Sequence, residues 1–132
     1  MNTDHYLPPP SKTWGLFAVL LVLDTAAQIF FKFGAAARGP FPTDSGPAML
    51  AYIGGLATNP FILGGIASLL GAFLLWLIII SQVDLSEAHP ITCLVYGTVA
   101  IASAVFLGES FSWHQALGVV LIIVGAFVTS EP

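Results

Sequence analysis

The chain has 132 residues, 57% of them hydrophobic and 8% charged, with a formal net charge of −4. Soluble domains carry roughly 25% charged residues, so this composition excludes a chain that covers itself with a water-facing surface. Three Lys and Arg residues against seven acids leave no basic footprint, and no nucleic-acid partner is expected.

A spanning helix needs about 20 predominantly apolar residues. Four segments meet that requirement: 14–36, 60–81, 85–107 and 111–129. They predict an all-α membrane protein, a single compact four-helix bundle over 14–132 with a long loop at 37–59. The opening "MNTDHYLPPPSK" is polar and proline-rich, and no small-residue cleavage site follows the apolar stretch behind it. Residues 1–13 therefore read as an arm, with His5 in it, rather than as a signal peptide.

The first helix carries "VLDTAAQIFFKFG". An ionisable residue at mid-membrane depth costs about 2.5–3.5 kcal/mol on insertion scales and is by default a functional hypothesis. Asp24 is such a residue, able to carry a proton or to pair with a cationic substrate. Gln28 and Lys32 follow at i+4 and i+8, within about 80° of Asp24 around a helix of 3.6 residues per turn, with Thr25 beside them. The four predict a polar stripe lining a cavity or a subunit seam. The structural alternative is a polar contact with Ser or Thr on a neighbouring helix, and Lys32 alone could snorkel to the headgroups.

The loop at 37–59 starts rich in Gly and Pro, which predicts irregular backbone. Its apolar end, "AMLAYIGGLA", is too short to span and predicts a helical turn or two at the membrane interface, as a lid or interfacial element. In the second helix Gly64 and Gly71 lie seven residues apart. "SQVDLSEAHP" joins the second and third helices, and Asp84 with Glu87 has the spacing of a capping box. Pro90 lies inside the third helix, where a missing N–H and a clash one turn back predict a kink or a broken first turn. Such a kink would open Glu87 and His89 to a cavity, with His89 as a possible proton gate. Cys93 lies within the apolar run and forms no intrachain disulfide. Glu109 and Ser110 are expected to end the third helix and start the fourth, with Trp113 and His114 at the interface. Gly118 and Gly125, seven residues apart on one stripe, predict close approach to another helix and to a second subunit. Lys12 on one side against Lys32 and Arg38 on the other slightly favours a cytoplasmic loop after the first helix, and both insertions stay open. No metal-ligand spacing, nucleophile elbow or phosphate-binding loop occurs, so no cofactor, metal or enzymatic activity is expected.

These residues resemble the small four-helix members of the drug/metabolite transporter superfamily. In the small multidrug resistance branch, an essential membrane acid is followed eight residues later by a lysine and an aromatic; Asp24, Lys32 and Phe33 reproduce this, with Asp in place of Glu. "GVVLIIVGA" is similar to that branch's dimerisation motif, and "FLGESFSWHQALGVVLIIVGAFV" resembles the end of an EamA-type repeat. Gln28, and Ala88 with Pro90 in "SEAHPITC", are similar to flippase subunits that move undecaprenyl-phosphate-linked aminoarabinose. The chain departs from the drug exporters in its long first loop and in His89 and Thr92, which stand where those have a tyrosine and a tryptophan. The resemblance implies a multi-pass protein of the bacterial inner membrane, working as a homodimer or a heterodimer with a related four-helix subunit. It implies transport by alternating access, with membrane lipid around it and a lipid-linked or amphipathic cargo. A proton-coupled exporter of cations and a non-transporting complex subunit are the alternatives.

Overall fold

A computed structural model describes residues 10–130; of the arm expected over 1–13, residues 1–9, with His5, lie outside the described residues, and 10–13 belong to the first helix instead. Among the described residues every regular element is an α-helix: α1 (Pro10–Ala36), α2 (Gly46–Ala57), α3 (Pro60–Ile80), α4 (Leu85–Thr92), α5 (Leu94–Leu107) and α6 (Trp113–Ser130). Three stretches are long and apolar enough to cross a membrane: Lys12–Ala36, Pro60–Ile80 and Leu85–Leu107. The helices α2 and α6 are apolar but shorter. The first helix starts at Pro10, four residues before the apolar run does, because proline in a first turn forgoes an N–H that has no partner there anyway.

Small residues set the packing. Helices α1 and α3 run antiparallel in the most extensive contact of the molecule. A Cβ on Gly34, near the end of α1, would lie 2.6 Å from the Ile62 side chain at the start of α3. One on Gly65 would lie 2.6 Å from the Phe31 ring, and one on Gly71 3.4 Å from Leu23. Without a hydrophobic drive between helices in lipid, such close backbone approach is what holds them. Helix α5 packs on another side of α1, and α6 packs on α4 and α5. The core lies at the Lys12 end, where Phe17 and Leu20 of α1 meet Ala72 and Ile79 of α3 and Ala88 and Ile91 of α4. Outside it, Val22, Leu74, Val105 and Val128 are 60–70% exposed on four different helices. Apolar surface facing outward all round the bundle suits a hydrocarbon solvent, not water.

Three local expectations are corrected. The third predicted span does break, but at Cys93 rather than at Pro90, which sits inside α4. The His89 carbonyl accepts from the Thr92 hydroxyl at 2.6 Å, and the Cys93 N–H turns to the Pro90 carbonyl at 3.1 Å. A new helix begins at Leu94, with the Cys93 N–H bonded to the Pro90 carbonyl rather than to that of His89. Asp84 does stand at the start of α4, but no side-chain cap bond forms there; its backbone carbonyl accepts from Glu87 and Ala88 instead. Helix α6 is capped by Ser112 and Gln115 rather than by Glu109 and Ser110: the Ser112 N–H donates to Gln115 Oε1 at 2.8 Å and the Gln115 N–H to Ser112 Oγ at 3.3 Å.

The long loop is better ordered than its composition predicts. Its apolar end forms a 12-residue helix, α2, with Ser45 capping its first turn through Ala48 N–H. Tyr52 on α2 organises the rest. Its hydroxyl donates to the Gly39 carbonyl at 2.9 Å, its ring meets Phe41 edge-on at 5.2 Å, and Arg38 lies 5.9 Å from the ring centre. Gly39 takes a positive φ of 75°, which a side chain would disfavour. Replacing Tyr52 by Ala removes one hydrogen bond and one aromatic pair, about 1–2 kcal/mol together. Limited proteolysis is expected to cut the 37–45 segment faster in this variant while the spanning helices stay protected.

Candidate functional site

Asp24 stands midway along α1, about 18–21 Å from either end at 1.5 Å per residue. It is half-buried and has no hydrogen-bond or ion-pair partner among the described residues. It opens on a cavity of about 270 Å³ lined by Leu20, Leu69, Phe73, Trp76, His89 and Thr92. The Trp76 and His89 ring centres lie 6.1 Å apart, the planes tilted by 59°. The break at Cys93 matters here, because it turns α4 so that His89 and Thr92 look toward α1 and α3. Two of the predicted site residues, Asp24 and His89, therefore meet across three helices. Glu87 does not line this cavity; it lies half-buried in the first turn of α4.

The polar stripe is divided, not continuous. Each four-residue step advances about 40° around the helix, so the stripe turns from the α3/α4 side toward α5 as it climbs. Gln28 and Lys32 consequently line a second cavity of about 330 Å³, with Val99, Ser103 and Leu107 of α5 and with Glu109. Lys32 Nζ lies 3.2 Å from Glu109 Oε1, both side chains about half exposed. Lys32 is thus paired rather than simply snorkelling. Thr25 points elsewhere again: its hydroxyl and that of Thr98 on α5 are 2.7 Å apart. Thr98 donates to the Val95 carbonyl at 3.0 Å, which leaves Thr25 as the donor to Thr98. This is the structural cross-helix contact weighed from the sequence, and it falls on Thr25 rather than on Asp24.

Gly118 and Gly125 meet nothing within 4 Å of a would-be Cβ. The expected close approach to another helix of the same chain is absent at these two positions. It occurs at Gly97 of α5, where a Cβ would lie 3.2 Å from Val119 of α6. Gly125 is exposed, while Gly118 is half-buried beside a cavity that α6 shares with Ala100 and Ser103 of α5.

The profile of the EamA-like transporter family matches residues 16–131, which takes in both cavities and all of α2 to α5. The chain belongs to the EamA-like transporter family. It is a multi-pass membrane protein. Within the curated proteins it is 34% identical over 70 residues to the probable 4-amino-4-deoxy-L-arabinose-phosphoundecaprenol flippase subunit ArnE of Aeromonas hydrophila, covering 53% of this chain and 61% of that one. The match to the corresponding ArnE of Erwinia tasmaniensis is 37% over 67 residues, covering 50% and 62%. A longer match, 23% over 121 residues, covers 89% of this chain and 90% of the probable flippase subunit ArnF of Proteus mirabilis. The chain thus spans less than two thirds of the ArnE relatives it matches. No solved structure matches it.

Within this EamA-like frame, two site residues escaped the sequence reading. Trp76 looked like one more apolar residue of the second span, yet its ring forms a wall of the Asp24 cavity; a tryptophan with an N–H to satisfy was the available signal. Glu109 read as a helix terminator, and only the fold brings it to Lys32. The Thr25–Thr98 contact predicts a modest structural effect: Thr25→Val should cost about 0.6 kcal/mol, the average for such bonds between membrane helices. A double-mutant cycle with Thr98→Val in an unfolding titration is expected to return a coupling of that size.

Proposed function

We propose that this protein is a subunit of a flippase that moves a lipid-linked, amphipathic cargo, a polyprenyl-phosphate sugar or similar lipid headgroup, across the bacterial inner membrane by alternating access. The observation that carries the proposal is the mid-membrane cavity where Asp24 stands free of protein partners, faced by His89 and Trp76. A cationic headgroup crossing hydrocarbon needs a compensating charge near the midplane, and an unpaired carboxylate there supplies one. The relatives, named as flippase subunits for an amino-sugar phosphoundecaprenol, support the same cargo class.

In this reading α6 is the fourth span. Its 18 residues cover about 27 Å at 1.5 Å each, close to a hydrocarbon core of about 30 Å. One copy leaves its cavities open at the side, so transport requires a dimer, either of two copies or with a related four-helix subunit. Gly118 and Gly125, unopposed within the chain, support α6 as the surface for that partner. His89 and Thr92 act at the same cavity, as polar neighbours of Asp24 for the cargo headgroup. The chemistry is binding and translocation, with no bond made or broken.

A second reading has its own observation: Trp76 and Phe73 beside Asp24 suit a hydrophobic cation through cation–π contact, as in a proton-coupled exporter. Reconstitution into liposomes separates the two. A fluorescent polyprenyl-phosphate sugar should change leaflet while a trapped proton-sensitive dye stays unmoved by added aromatic cations. Cation-driven proton flux without lipid movement would favour the exporter. Neither activity, with the partner subunit present, would leave a non-transporting subunit.

A further inference from the structure

The second cavity lies about 12 Å along α1 from Asp24 at 1.5 Å per residue, toward the end that carries α2 and the α5–α6 turn. Its polar residues are an ion pair, Lys32 with Glu109 at 3.2 Å, and beside it Gln28 and Ser103. The Ser103 hydroxyl donates to the Ala100 carbonyl at 2.9 Å, so its oxygen is left to accept. Gln28 is exposed and has no partner among the described residues, leaving an amide donor and acceptor free at the cavity wall. Glu109 and Ser103 also border a neighbouring cavity of about 250 Å³ with Ser110, Gln115 and Gly118. The pair therefore sits where two cavities meet.

Charge decides what such a site accepts. A half-exposed ion pair is worth only about 0–1 kcal/mol, so a ligand can replace it at little cost. A purely anionic ligand would gain Lys32 and meet repulsion from Glu109, and a purely cationic one the reverse. A ligand carrying both signs satisfies both at once. We propose that Lys32 and Glu109 form a headgroup-reading site for a zwitterionic phosphate ester, with Lys32 on the phosphate and Glu109 on a primary ammonium. Gln28 bonds the polar linker between them. The site rests on the flippase reading and deepens it: the ammonium is held first by Glu109 near the membrane edge, then by Asp24 at the midplane. It also explains why the pair is half exposed, since a deeply buried pair would not open.

Equilibrium binding to the purified protein in detergent tests this, using three short-chain probes. Dihexanoyl phosphatidylethanolamine carries phosphate and amine, dihexanoyl phosphatidylglycerol carries phosphate alone, and a farnesyl-phosphate amino sugar carries the zwitterion on a prenyl chain. Wild type is expected to bind the two aminated probes at least about tenfold more tightly than phosphatidylglycerol, and the tighter of the two identifies the source of the headgroup. In Glu109→Gln the preference should fall to near unity, and in Lys32→Gln all three probes should weaken. Equal affinities in wild type, no binding of either aminated probe, or a preference unchanged in Glu109→Gln overturns the proposal. Leaflet exchange measured in parallel keeps the site distinct from the translocation reading: wild type that shows the binding preference but moves no lipid fails the translocation reading alone, and wild type that moves lipid without the preference fails the headgroup site alone. Both headgroup positions are half exposed, and retained helicity and elution volume exclude misfolding as the cause.

Discussion

Replacing Asp24 by Asn is expected to lower the rate of cargo translocation about a hundredfold while leaving the fold intact. The carboxylate costs about 2.5–3.5 kcal/mol at mid-membrane depth, and that cost is offset only when a proton or a cationic group joins it. Asparagine keeps the volume and removes the charge, so a coupling of about 2.8 kcal/mol, two factors of ten, is lost. Because Asp24 has no protein partner among the described residues, no other side chain is left stranded. The variant should therefore be at least as stable as wild type in an SDS unfolding titration. A variant that both unfolds early and transports poorly would mark Asp24 as a structural residue instead.

The second large effect separates two kinds of glycine. At Gly65 a Cβ would sit 2.6 Å from the Phe31 ring, inside the seam that binds α1 to α3. Valine there must push the two helices apart, and overpacking of this sort costs about 1–3 kcal/mol. The expected result is earlier unfolding and loss of transport through a distorted Asp24 cavity. Gly125, by contrast, has open space around it. Gly125→Val should leave the unfolding midpoint of the single chain nearly unchanged yet abolish the dimer proposed to form through α6. Cross-linking in lipid checks this; a dimer that survives Gly125→Val would place the partner surface on another helix.

The helices were legible because periodicity is not needed to find them: length and apolarity suffice. The predicted segments end within a residue or two of α3, α6 and the α4–α5 pair, the first helix begins four residues early, and three of the four are long enough to cross a membrane. Asp24 was legible for the same reason, a single charge being conspicuous in hydrocarbon. Its neighbours were less so. The stripe of Asp24, Gln28 and Lys32 is real on the helix surface, but a drift of about 40° per step sends its members to different cavities, and only the positions of α3, α4 and α5 show where the division falls. Pro90 drew attention to the right turn of the chain, while the break itself falls three residues on, at Cys93. Glu109 became a site residue through an encounter with Lys32 across 77 positions of chain, which local sequence does not encode. The order of the long loop likewise depends on Tyr52 finding Gly39, Phe41 and Arg38 together.

The most direct test of the translocation reading is leaflet exchange of a fluorescent polyprenyl-phosphate amino sugar in sealed vesicles, read as the label protected from an impermeant quencher. With the reconstituted protein, alone or with its partner subunit, the protected inner-leaflet label is expected to disappear over time, and with Asp24→Asn to remain. Label that stays protected in wild-type vesicles as it does in protein-free ones, or that is lost equally in both variants, would contradict a flippase working through the Asp24 cavity.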